Sequence, residues 1–237
     1  MNPRVALIIA SIFSLVIIFL PYGGIVGYPL LLLSTIVHEM GHGIAGLIVG
    51  YNFHSFNLYA DGSGAALISG SGGRLSQAVT SAGGLVGPAF TAAVFFPLAA
   101  RPRLARAALV LVAVFFLLTC IIWVRNIFGF TFIAAIGVLL LFISIKANNS
   151  VNQFALALLA VQLTISVFVR ADYLFTKVAM TSKGAMPSDV AQIQAALILP
   201  YWFWGLVCGA ISVAVLILGL RSFWRNSRVV IKNNSNG

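Results

Sequence analysis

Tyr28-Pro-Leu-Leu-Leu-Leu-Ser-Thr-Ile-Val-His38-Glu39-Met-Gly-His42-Gly-Ile-Ala-Gly-Leu-Ile-Val49 is an apolar run interrupted by one acid between two histidines. A helix crossing the hydrocarbon of a bilayer needs about 20 mostly apolar residues, and this run supplies them. Glu39 is the only glutamate in the chain, and an acid at mid-span costs about 2.5–3.5 kcal/mol on insertion scales, so its position demands a compensating partner. The flanking histidines supply a reason for it. Residues four apart lie one turn apart on the same helix face, so His38 and His42 can offer imidazole nitrogens to one tetrahedral Zn²⁺. Such a metal lowers the pKa of its water toward about 7, and Glu39, beside that face, can take the water's proton and deliver it to a leaving amine.

Outward from this run the chain stays apolar. Of 237 residues, 61% are hydrophobic and 8% are charged, with a mean hydropathy of +1.06, which excludes a soluble globular or disordered protein. Seven candidate transmembrane helices follow from run length: 5–20, 28–49, 76–100, 105–124, 127–145, 151–169 and 197–220. Pro21-Tyr-Gly-Gly, Arg101-Pro-Arg and Lys146-Ala-Asn-Asn punctuate them, as turn residues and charges should. Residues 51–74, with Asp61-Gly-Ser-Gly and Ser69-Gly-Ser-Gly-Gly around the apolar piece Ala65 to Ile68, predict a short β-hairpin or re-entrant loop after the second span. The expected fold is therefore an all-α polytopic membrane protein forming one integral membrane domain, with 221–237 as a basic C-terminal tail.

Fourteen cations face four acids, for a net charge of +10. The cations sit between apolar runs, which reads as loop charge that orients a protein in its lipid bilayer and not as a nucleic-acid surface. Seven spans would put the termini on opposite sides. Arg101, Arg103, Arg106, Lys146, Arg221, Arg225, Arg228 and Lys232 then share the side of the C-terminal tail, against Arg4, Arg74, Arg125, Arg170, Lys177 and Lys183. The majority points to a cytoplasmic C-terminus. Cys120 and Cys208 lie inside apolar runs, where free cysteine behaves as a small hydrophobe.

A catalytic zinc normally has three protein ligands, so two histidines leave one to find. His54, Asp61, Asp172 and Asp189 are the candidates. Asp61 lies in a turn sequence, Asp172 follows Arg170 and can pair with it, and Ser188 or Asp189 can cap a following helix. On local chemistry Asp172 and Asp189 stay close competitors. Asn126, between the fourth and fifth spans, can cap a helix or hold a substrate backbone. Gly83 and Gly87 have the spacing that lets membrane helices pack closely, and Tyr201, Trp202 and Trp204 read as an interfacial aromatic belt.

The chain resembles the M50 group of intramembrane zinc metalloproteases, the site-2 protease class, and within it the M50B-like branch. The matching pieces are His38-Glu-Met-Gly-His42-Gly-Ile-Ala-Gly, Ser81-Ala-Gly-Gly-Leu-Val-Gly-Pro88, Trp123-Val-Arg-Asn-Ile-Phe-Gly129, and Pro187-Ser-Asp-Val-Ala-Gln192 with Pro200-Tyr-Trp-Phe-Trp204. In that family the third ligand is an Asp from a later helix, which the resemblance places on Asp189. Met186-Pro-Ser-Asp-Val stands where better-studied relatives carry a Leu-Asp-Gly segment. The resemblance implies a zinc-dependent endopeptidase acting on peptide bonds in or near transmembrane segments of membrane-protein substrates, and a bacterial inner membrane. A zinc-binding transporter or sensor is the alternative class. It should show inverted repeats with broken helices in matching halves, and no second segment mirrors the run around Glu39.

Overall fold

The computed structural model describes residues 2–169, 171–181 and 184–235. Arg170 and Lys183, two of the cations assigned to a side above, lie outside the described residues.

The order of elements is α1 (Pro3–Phe19), α2 (Gly23–Ile48), β1 (Asn52–Leu58), β2 (Gly64–Ser69), α3 (Arg74–Ala99), α4 (Pro102–Ile122), α5 (Ile127–Lys146) and α6 (Asn149–Val169). A short 3-10 helix (Ala171–Phe175), β3 (Val178–Thr181), β4 (Gly184–Pro187), α7 (Asp189–Ala196) and α8 (Tyr201–Ser235) complete it. Among the described residues six helices, α2 to α6 and α8, are long and apolar enough to cross a membrane, and α1 is a shorter apolar helix. The burial pattern is that of a protein in lipid: Ile12, Leu111, Ile121, Val138 and Phe142 are exposed, while Ser14, Ser144 and Gln153 are buried. In an apolar solvent, large hydrophobes lose nothing by facing outward, and small or polar residues mediate helix contact.

Helices α2 and α3 make the closest of these contacts. A Cβ at Gly41 would clash with the Gly83 carbonyl, and one at Gly87 would approach the Gly41 Cα to 3.2 Å. Small residues on both sides bring the backbones together, which carries the helix with His38 and His42 against the first half of α3.

Between these helices the chain folds into the expected hairpin. β1 and β2 pair antiparallel, with a bulge between Phe53 and Ser55 that leaves His54 out of register. Its turn is Asp61-Gly-Ser, where Ser63 donates both its N–H (2.9 Å) and its hydroxyl (2.6 Å) to Asp61 Oδ1. The Ser63 hydroxyl and amide hold the Asp61 carboxyl below the ordinary range. The tip is fixed to α2: Thr35 donates to the Gly62 carbonyl (2.8 Å) and Tyr28 to that of Ala60 (2.7 Å).

The outer edge of β1 is closed by the linker between α4 and α5. Phe56 N–H donates to the Trp123 carbonyl (2.8 Å) and its carbonyl accepts from Arg125 N–H (3.2 Å). The Trp123 indole donates to the Phe53 carbonyl (3.0 Å). Asn126 completes the edge with its amide, accepting from Leu58 N–H (3.2 Å) and donating to the Leu58 carbonyl (2.6 Å). The antiparallel β2 edge is left facing α2 and the site.

Of the segment after α6 the sequence predicts a helix capped by Ser188 or Asp189; that helix is α7, and a 3-10 helix and a second hairpin of β3 and β4 precede it. Two features depart from the sequence reading. The expected tail from 221 onward continues α8 as helix through Ser235, because no glycine or proline lies between Leu220 and Ser235 to break it. Finally, the termini meet at one end of the bundle. Arg4 donates to Ser227 Oγ (3.2 Å) and lies over the Trp224 ring (5.0 Å), whereas seven spans would have set Arg4 and α8's end apart.

Candidate metal centre

His38 and His42 lie in the middle of α2, where the four-residue spacing projects both rings from one face; the rings meet edge to face, with centroids 4.8 Å apart. The third member comes from α7. That helix is short and amphipathic, burying Val190, Ile193 and Ala196 against Ala78 and Leu85 of α3 and Cys208 of α8. Ser188 is its N-cap, accepting from Ala191 N–H (3.3 Å) and donating to the Thr176 carbonyl, so Asp189 falls in the first helical turn with its carboxylate turned to α2.

His38 Nε2 is 3.2 Å from Asp189 Oδ2, His42 Nε2 is 3.3 Å from Asp189 Oδ1, and the two Nε2 atoms are 3.2 Å apart. Ligand bonds of about 2.05 Å, the length for zinc with nitrogen or carboxylate oxygen, give tetrahedral edges of about 3.3 Å; the two imidazole nitrogens stand at that spacing and each carboxylate oxygen of Asp189 stands at it from one of them, so the donor set suits a zinc-like ion. Asp189 Oδ2 is also buried without a hydrogen-bond partner, and a buried carboxylate oxygen left so is costly unless something binds it. Burial opposes the charged form of Asp189, but the imidazoles of His42 and His38 hold its carboxyl below the ordinary range.

The surroundings orient both the histidine and the acid. His42 Nδ1 lies 2.8 Å from the Thr80 carbonyl; a carbonyl only accepts, so Nδ1 carries the proton and Nε2 keeps its lone pair toward the centre. The ring lies directly on Gly84, where a Cβ would overlap the imidazole. Glu39 is buried, and its Oε2 accepts from Ala66 N–H of β2 (2.8 Å).

Two cavities converge here. One, of about 480 Å³, runs between α2, the tip of the first hairpin and the 3-10 helix; the other, of about 340 Å³, lies along β2, α3 and β4. His38, Glu39, Gly64, Tyr173 and Ala179 line both.

Among the described residues, His38, His42 and Asp189 are the one group of three or more such side chains whose donor atoms converge, all within 4.8 Å. The other candidates are placed elsewhere. His54 pairs with Ser69 Oγ on the hairpin (2.6 Å), Asp61 serves its turn, and Asp172 starts the 3-10 helix and borders the larger cavity. Asn126 occupies the N-cap position of α5 without a side-chain cap bond, its amide being used on Leu58. Thr80, Gly84 and Ala66 escaped the sequence reading. Thr80 and Ala66 act through backbone atoms, which leave no mark on residue type, and Gly84 was visible only as part of a small-residue run.

Fold and site together define a polytopic helical membrane protein built around a three-donor centre on an HExxH helix. The sequence profile of the Peptidase M50B-like family matches residues 7–219, and the chain belongs to that family. No curated protein and no solved structure matches it at a significant level.

Proposed function

We propose that this chain is a zinc-dependent intramembrane endopeptidase in which His38, His42 and Asp189 hold the metal and Glu39 is the general base. The observation that carries the reading is the convergence of two imidazole nitrogens and a buried carboxylate within 4.8 Å of one another beside a glutamate positioned by a backbone N–H. Zinc, when bound, supplies an acidified water and a Lewis acid for the scissile carbonyl. Glu39 takes a proton from the attacking water and returns it to the departing amine, so that water and peptide become an acid and an amine with no net proton change. The Ala66 N–H keeps the carboxylate from turning away.

The β2 edge supports a substrate role for the hairpin. Since Phe56 and Leu58 use their backbone groups on the far side of β1, alternation across the ladder turns those of Gly64, Ala66 and Ile68 outward from β2, the Ala66 N–H being taken by Glu39 and its carbonyl left to the edge. Gly64, Ala66 and Ile68 line the smaller cavity. A transmembrane peptide unwound at its cleavage site could pair there as a third strand, satisfying the backbone groups that lipid cannot. Replacing Ala65 to Ile68 by a Gly-Ser stretch should lower turnover and leave zinc content unchanged; full turnover would remove the hairpin from the reading.

Nine cations, Arg4, Arg101, Arg103, Arg106, Lys146, Arg221, Arg225, Arg228 and Lys232, are placed by connectivity and by the Arg4 and Arg101 contacts at the end of the bundle where α8 finishes. The acids are all elsewhere. This favours a cytoplasmic position for that end, and a bacterial inner membrane is the setting we propose.

The test is metal content of the detergent-purified protein beside His42→Ala, Asp189→Ala and Glu39→Gln, together with cleavage of a transmembrane peptide. Near one zinc per chain in the wild type, lost in the first two and kept in Glu39→Gln without cleavage, supports both assignments. Zinc retained by Asp189→Ala would reject the ligand set.

A further inference from the structure

At the end of the bundle remote from His38, three distant parts of the chain meet: the first turn of α1, the corner between α3 and α4, and α8 from Trp224 to Ser227. Arg4 Nε donates to Ser227 Oγ (3.2 Å), and its guanidinium lies 5.0 Å from the Trp224 ring centroid. Arg101 donates to Asn226 Oδ1 (3.3 Å), whose Nδ2 donates to the Pro97 carbonyl (3.4 Å). Two guanidinium groups are thus seated on one stretch of α8. No acid lies in any of the three segments. Like charges gathered without a carboxylate repel one another, and each arginine retains donors beyond those its neutral partners occupy.

Depth identifies the anion that belongs there. From Tyr201 to Leu220 α8 runs through apolar sequence, about 30 Å at 1.5 Å per residue, which is the thickness of bilayer hydrocarbon. Trp224 and its neighbours therefore emerge at the headgroup level, where tryptophan and arginine are both favoured. On the lipid side of this corner Val5, Ile8 and Leu218 are exposed, an apolar bed for acyl chains that a soluble anion would not use. We propose that the corner made by Arg4, Arg101 and Trp224 binds the phosphate headgroup of an anionic phospholipid, a site separate from the metal centre and independent of peptide hydrolysis.

The experiment is tryptophan quenching of the full chain in phosphatidylcholine vesicles containing a minor fraction of phosphatidylglycerol, with bromine on the acyl chains of one lipid at a time. Subtracting Trp224→Phe isolates the signal at the corner. Brominated phosphatidylglycerol should quench Trp224 at least about fivefold more effectively per mole than brominated phosphatidylcholine, the preference expected from one cation at an anionic surface. The Arg4→Gln/Arg101→Gln pair should lose the preference, and Arg4→Lys/Arg101→Lys, which keeps the charge and guards against a folding artefact, should retain most of it. Equal quenching by the two lipids in the wild type, or an undiminished preference in the glutamine pair, would overturn the proposal. So would loss of the preference on adding inorganic phosphate at constant ionic strength, which would mark a site for free phosphate.

Discussion

Glu39 and the two histidines are positioned by groups with no chemistry of their own. The His42 ring fills the space over Gly84, and its tautomer is set by the Thr80 carbonyl. A methyl at 84 must push the ring off its axis, so Gly84→Ala should lower metal affinity by about 10–100-fold, the usual cost of disturbing an outer support of a metal ligand. Competition titration with a chelator would measure it, with circular dichroism confirming that the helices persist; unchanged affinity would mean the ring has room elsewhere. Glu39→Gln preserves shape while removing the proton acceptor. Its zinc should remain and its turnover should fall by about 10²–10⁴-fold, the contribution of a positioned general base.

At the scale of elements, the first hairpin is held between α2 and the linker from Trp123 to Asn126, and its placement aligns Ala66 with Glu39. Asn126→Ala would leave both backbone groups of fully buried Leu58 without partners, at a cost of about 1–3 kcal/mol for each unsatisfied group. Faster amide exchange across Phe53 to Leu58, with turnover falling while zinc content holds, is the expected result; unchanged exchange would show that the α2 contacts at Thr35 and Tyr28 suffice. The hairpin itself was legible, because glycine, serine and aspartate bracket a short apolar piece. Its neighbours were not. β3 and β4 are four residues long each, too short for periodicity to separate from loop, and of α7 only the cap at Ser188 or Asp189 was visible, its packing being recognisable once α3 and α8 are there to cover Val190 and Ile193. The same shortness kept Asp172 and Asp189 level on local chemistry; α7's packing is what turns Asp189 toward α2. Asn126 was visible as a polar residue in an apolar setting, yet its partner, the backbone of Leu58, lies 68 positions away.

Over the whole molecule, apolar run length located α3 to α6 to within three residues at either end and missed the start of α2 by five and the end of α8 by fifteen, but run length cannot say whether the first, shortest run crosses. Arg4 bears on the count through its contacts with Trp224 and Ser227: α1 begins at the end of the bundle where α8 finishes, which is the parity of an even number of crossings. Helix α3 provides the ruler for the opposite end. Its C-terminal turn adjoins Asn226 through Pro97, and its 26 residues place the loop before Arg74 about 39 Å away at 1.5 Å per residue. Single cysteines at Asn2, Arg228 and exposed Ser71 therefore test the arrangement, since the native Cys120 and Cys208 are buried and should stay silent to an impermeant maleimide. Labels at 2 and 228 should react only from the same face, and 71 only from the other. Reaction of 2 and 228 from opposite faces would restore a seven-span topology. If the paired face is the cytoplasmic one, the nine-cation end obeys the charge rule for membrane insertion, and the cavities beside His38 and Glu39 draw on the half of the bundle that looks away from the cytoplasm.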